Sequence, residues 1–223
     1  MIRKYRYGTP FETDSVVNKM ETSEDALPNF TEENEDGRLS FSCTLSDGDC
    51  VYGLGENVRG INKRGWMYES RCLDDPVHVE TCRSLYAAHN FLIVSGEKTF
   101  GIFLDYPGIV SYDIGYSHLD RLVITVEDPD LDIYIIDGIN EREIVRELRH
   151  LTGRSYIPPK WAFGYQQCRW SYMSEDEIRD VVDGHRKNHI PLDAVYLDID
   201  YMDHYKDFTV NEETFPQFDA FVN

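Results

Sequence analysis

The chain has 223 residues, enough for one large domain or two smaller ones, and with 41% hydrophobic and 13% aromatic residues it can bury a sizeable core. Its 41 acids against 22 Lys and Arg give a formal charge of −19. Nucleic acids and anionic membranes require basic patches on their protein partners, so neither is expected here.

The N-terminal stretch "MIRKYRYGTPFETD" carries basic residues with no apolar run behind them, so it does not read as a signal peptide. From there to about residue 155 the rhythm is β. The runs "FSCTL", "CVYGLG", "NFLIVSG", "TFGIFLDY", "IVSYDIGY", "RLVITVED" and "LDIYIIDG" recur between Gly, Asp, Asn and Pro, and several alternate apolar with polar residues. Many short strands separated by turn signals predict an antiparallel sandwich. "YGLGE" at 52–56 lacks the third glycine spacing of a dinucleotide loop and reads as a turn of that sandwich. Apolar stretches such as FLIV at 91–94 are too short to span a bilayer.

A helix is expected over 140–151, with Ile144, Val145, Leu148 and Leu151 on one face and Gly153 closing it. Pro158-Pro159 then interrupts any helix or central strand, and the domain boundary is placed there: 1–157 and 158–223. A strand over Phe163–Gln167 follows. The next helix is marked by a Ser174/Glu177 capping box, acids in its first turn, His185, Arg186, Lys187 and His189 near its end, and Pro191 as its stop. The apolar run Ala194–Leu197 predicts a second strand ending at Asp198. Strand, helix and apolar strand make a βαβ unit with parallel strands.

Such sheets carry ligand-binding side chains at the C-terminal ends of their strands. Those ends are Gln167-Cys168-Arg169-Trp170 and Asp198-Ile199-Asp200. Asp198 and Asp200 would share one side of a strand by its period of two, unless the chain has already turned. They could be solvated acids, a D-x-D metal site of glycosyltransferase type, or acceptors for sugar hydroxyls beside stacking aromatics. Trp170 could be packed under a loop or form an aromatic wall. His185 and His189 stand four apart, but without the Glu of H-E-x-x-H they fit the helix dipole better than a metal. The acid-rich loop "RCLDDPVH" at 71–78 reads as solvated. Five cysteines in irregular spacing, with no C-x-x-C, point to a reduced, cytosolic chain.

"WAFGYQQCRWSY", "HIPLDAVYLDIDYMDHYKDFTVNEETFPQF" and "YGLGENVRGINKRG" together resemble glycoside hydrolase family 31, most closely its bacterial α-glucosidase branch. The resemblance runs over nearly the whole chain. It implies a galactose-mutarotase-like β-sandwich followed by the first βαβ of a (β/α)8 barrel that hydrolyses terminal α-linked sugars with retention. Asp198 matches the family's acid that binds sugar hydroxyls, and Ile199 follows it into the pocket wall. Trp170 matches an aromatic lining the pocket, and Asp74 an acid on a loop from the sandwich. The resemblance implies an α-linked oligosaccharide substrate, no cofactor, no metal, and room for a homo-oligomer of the full-length enzyme. The family's nucleophile lies in a W-x-D-M-N-E segment that does not occur in these residues. A barrel needs about 250 residues. The chain therefore reads as the N-terminal portion of a longer enzyme, inactive alone, with nucleophile and acid/base beyond Asn223. A non-catalytic carbohydrate-binding or interaction module is the alternative, as is an α-xylosidase of the same family.

Overall fold

Strand β1 (Ile2–Tyr7) opens a computed structural model that describes residues 1–35 and 37–222. After it come β2 (Thr31–Glu35), β3 (Arg38–Thr44), β4 (Cys50–Gly55), β5 (Trp66–Ser70), β6 (Ala88–Ser95), β7 (Phe100–Asp105), β8 (Val110–Ile114), β9 (Arg121–Val126) and β10 (Leu131–Asp137). Helix α1 (Glu141–Thr152) completes a first unit, Met1–Arg154; the second is Ser155–Asn223.

The first unit holds two five-stranded sheets, β1-β10-β7-β6-β4 and β2-β3-β9-β8-β5, with every pairing antiparallel. Their inner faces share one core, with Phe41, Val51, Leu92, Ile102, Tyr112, Ile124 and Ile133 at its centre. The expected sandwich is present, and each of the seven apolar runs lies on a strand. Strands β3, β8 and β9 alternate buried and half-exposed positions because one face of their sheet meets water. Strand β7 is buried throughout because α1 covers the outer face of the other sheet.

Three strands escaped the sequence reading. β2 is exposed along its whole length and carries three glutamates, so no apolar pattern marks it. β5 is a short edge strand. β1 reads as basic because its Arg3, Lys4 and Arg6 serve the acids of β10: Arg3 pairs with Asp137, and Lys4 and Arg6 with Asp132. "YGLGE" is not a turn but the bulged end of β4. Gly53 and Gly55 take φ of 123° and 75°, and a Cβ on Gly53 would lie 2.3 Å from the Phe91 carbonyl.

Helix α1 begins where its cap dictates. The Asn140 side chain accepts the Glu143 N–H at 3.0 Å, and the Glu143 carboxylate accepts the Ile139 N–H at 2.9 Å. Gly153 ends it at φ 88°. Ile144 and Leu151 are buried and Leu148 packs beside them, but Val145 faces out, one step around the helix from the apolar stripe.

The second unit is a βαβ unit, as expected, but its strands are shorter. Residues Lys160–Phe163 form a 3-10 turn after Pro159, and β11 is only Gln166–Gln167. Helix α2 spans Glu175–Lys187, capped by Ser174, and ends at Asn188 rather than at Pro191; the Asn188 amide already closes the last turn onto Gly184. Strand β12 is Ala194–Val195, parallel to β11. Bonds from Tyr196 N–H to the Gln167 carbonyl and from Asp193 N–H to the Tyr165 carbonyl, both 2.9 Å, extend the ladder at its two ends. Among the described residues each of these strands pairs with the other alone. Helix α3 (Phe218–Val222) follows. Tyr172, Ile178 and Phe215 form a small core. Trp161, Phe163, Tyr165 and Tyr196 remain half or more exposed, so this sheet keeps an uncovered aromatic surface.

Candidate functional site

The candidate site lies where β11 and β12 end. Both strand exits bend through left-handed backbone: Ser171 has φ 70° and Asp198 φ 63°. Asp tolerates this region because its short polar side chain bonds locally; Ser does so less readily. Six of the eight non-glycine residues with such φ, among those described, belong to the second unit, and four of them are Asp198, His204, Tyr205 and Phe208. Each costs roughly 1–3 kcal/mol, and surrounding contacts must hold it.

The Ser171 N–H donates to the Asp198 carboxylate at 3.4 Å. The Ser171 hydroxyl donates to Asp200, whose other oxygen accepts the Tyr205 hydroxyl at 3.1 Å. That bond and the carboxylate charge hold the Tyr205 phenol above its ordinary pKa. Asp203 accepts from His204 at 2.5 Å, and its N–H donates to Thr209 Oγ1 at 2.9 Å. Asp200 and Asp203 are thus engaged in shaping the loop. Among the described residues Asp198 accepts one long hydrogen bond, and it keeps acceptor capacity for a ligand. The shared strand face expected for Asp198 and Asp200 is absent, because the chain has turned at Asp198.

Trp170 adjoins Ser171 and is 81% exposed, and Ile199 is 40% exposed. The Arg169 guanidinium sits 4.6 Å from the Tyr172 ring centroid and 3.5 Å from Glu177, which fixes the backbone just before Trp170. Asp198, Ile199 and Trp170 therefore gather at one end of the small sheet. Asp74 belongs to the first unit, exposed on the β5–β6 loop. Its neighbour Asp75 shapes that loop by accepting the Val77 N–H at 2.8 Å. Ser171 and Tyr205, the residues that organise the acids, were not singled out from sequence; a lone Ser and one Tyr among fifteen carry no local signal.

His185 does not face His189 as a metal pair. Its Nδ1 lies 2.9 Å from the Val181 carbonyl, and its ring stacks on Tyr165 at 5.7 Å. All five cysteines are free, and no helix among the described residues is long and apolar enough to cross a membrane.

Known proteins share both units. The family model described as the glycosyl hydrolase 31 N-terminal galactose mutarotase-like domain matches residues 4–113. The model of the glycosyl hydrolases family 31 TIM-barrel domain matches residues 155–223. The alpha-glucosidase 2 of Bacillus thermoamyloliquefaciens is 34% identical over 175 residues, which are 77% of this chain and 22% of that protein. The alpha-xylosidase 1 of Arabidopsis thaliana is 32% identical over 191 residues, 82% of this chain and 20% of that one. A Flavobacterium johnsoniae family 31 dextranase complexed with isomaltotriose superposes with a TM-score of 0.79 at 28% identity, covering 89% of this chain and 24% of that one. The chain spans between a fifth and a quarter of the length of these proteins. Two models of one family, together covering most of the residues, and a relative 34% identical over 77% of the chain place the chain in glycoside hydrolase family 31.

Proposed function

We propose that this chain is the N-terminal portion of a cytosolic, retaining α-glucosidase of the bacterial branch, removing terminal non-reducing α-linked glucose from oligosaccharides. Residues 1–157 supply the sandwich and 158–223 begin the catalytic barrel. Asp198 accepts hydroxyl hydrogens of the sugar in the cleaved subsite. Ile199 and Trp170 wall the pocket, and Asp74 is the further substrate-binding acid that the family resemblance implies. Retaining hydrolysis needs two carboxyl groups about 5 Å apart, a nucleophile and an acid/base. Neither role falls to a residue of this chain; both belong to residues beyond Asn223.

The observation that carries this reading is Asp198 itself. It stands at a parallel-strand exit, held left-handed by Ser171, with acceptor capacity left over, beside an exposed Trp and Ile. Relatives named as α-glucosidases supply the substrate class. The test is to assay the natural gene product from its source cells with nitrophenyl α-glucoside and nitrophenyl α-xyloside, beside the pure 223-residue chain. Glucoside turnover by the natural product and none by the chain is the expected result. Turnover by the chain alone, or none by either, overturns it. The likeness to an α-xylosidase favours a second reading, and faster turnover of the xyloside would select it.

A further inference from the structure

The outer face of the sheet containing β1, β10, β7 and β6 is apolar under α1 and then changes character. Arg6 faces Asp132 across β1 and β10, and Asp132 faces Asp105 across β10 and β7. One side-chain step beyond the Phe91–Phe103 pair, His89 joins the same row, its ring packed about 6.2 Å from Phe91 and 6.3 Å from Phe103. Four ionisable side chains thus run across four neighbouring strands. Two of them are carboxylates directly opposite one another, an arrangement that destabilises a sheet.

Anchoring β1 explains only half of this row. Asp132 is saturated by Lys4 at 2.8 Å and by both nitrogens of the Arg6 fork at 2.8 Å. Asp105 is not needed for that anchor. It is 9% exposed, and one oxygen accepts the Thr13 hydroxyl at 2.6 Å. Its other oxygen has no hydrogen-bond partner among the described residues, nor has the His89 ring. Two clefts, of about 320 and 430 Å³, open on either side of the Thr13–Asp105 contact, the first bordered by Asp132 and Tyr134 and the second by His89 and Phe103.

We propose that this row is a binding site for a neutral pyranose, separate from the strand exits of the second unit and independent of the function proposed for them. Asp105 accepts a ring hydroxyl, and the exposed His89 imidazole exchanges a hydrogen bond with its neighbour, within the 430 Å³ cleft that both border. The wall is charge-balanced. Lys4 and Arg6 are already spent on Asp132, so an anion meets Asp105 unshielded. A divalent cation finds one free carboxylate. A polyhydroxyl ring needs acceptors and donors together without net charge, which this row supplies.

The test follows the His89 Cε1–H resonance of the 223-residue chain during titration with glucose, the signal being assigned with His89→Gln. A saturable shift in the millimolar range is expected, reduced at least tenfold in affinity by Asp105→Asn and unaltered by Asp198→Asn. Because Asp105→Asn can perturb the sheet, a measurement on the unaltered chain runs beside it: a nuclear Overhauser effect from glucose ring protons to His89 Cε1–H. No shift, no Overhauser effect, a shift indifferent to Asp105→Asn, a shift abolished by Asp198→Asn, or a response to calcium or phosphate in place of glucose would each overturn the site. The outcome leaves the α-glucosidase reading untouched, since that rests on turnover by the natural product.

Discussion

The backbone N–H of Ser171 donates to the carboxylate of Asp198 across 27 residues of chain, and both residues sit in left-handed backbone. Each strand exit is strained, and each helps to hold the other. The Ser171 hydroxyl meanwhile ties Asp200 out of the way. Asp200 and Asp203 are spent on the loop, while Asp198 keeps capacity to receive a ligand.

Replacing Asp198 with Asn in the natural enzyme keeps the shape and the Ser171 contact but removes the charge that accepts sugar hydroxyls. Turnover of nitrophenyl α-glucoside should fall by roughly 10²–10³, equivalent to about 3–4 kcal/mol of transition-state stabilisation, with an unchanged thermal midpoint. Activity near that of the unaltered enzyme would remove Asp198 from the pocket.

Asp132 sets an acid-side stability limit. Burial alone would raise its pKa, but the Arg6 and Lys4 contacts outweigh burial and hold it below the usual carboxylate range. A folded pKa below the unfolded one stabilises the fold above the unfolded value, and that stability is lost as pH falls through the folded one. Asp132→Asn leaves the Lys4 charge, itself largely buried, uncompensated. At neutral pH it should cost about 3 kcal/mol, or roughly 6–12 °C in midpoint. Melts repeated at descending pH should show the gap to the unaltered chain closing below the ordinary carboxylate range. A gap independent of pH would mean the pairing contributes nothing.

Gly101 lies under Ile144, the residue that docks α1. A Cβ there would come within 2.5 Å of Ile144 Cγ2 and 3.1 Å of Phe91 Cε2. Gly101→Ala should therefore destabilise the sandwich by about 1–3 kcal/mol through overpacking. Denaturant titration reads this as a lower midpoint with the same slope, and an unchanged midpoint would show that α1 can shift freely.

Asn140→Ala removes the cap of α1 and frees the Glu143 N–H. About 1 kcal/mol and 2–4 °C in midpoint should be lost. Asn140→Asp should recover most of it, since an aspartate oxygen accepts the same bond and its charge suits the helix start. Equal loss in both variants would point away from capping.

The elements readable from sequence are those whose cause is local. Alternating burial marked β3, β8 and β9, continuous burial marked β7 and β10, and Ser174 and Gly153 marked helix ends, because each signal lies within a few residues of what it controls. The family motif around "LDIDYMD" is equally local, a run of adjoining residues that needs no tertiary contact to be read. What tertiary structure decided was convergence. β2 has no apolar face to announce it. β1 looks like a basic tail until β10 supplies its acids. The left-handed turns at Ser171 and Asp198 are tied to one another by a hydrogen bond spanning 27 residues. The row from Arg6 to His89 exists only through strand register, which brings together residues up to 126 positions apart. No window of sequence contains that row, since register is set by how whole sheets pack and not by any one strand.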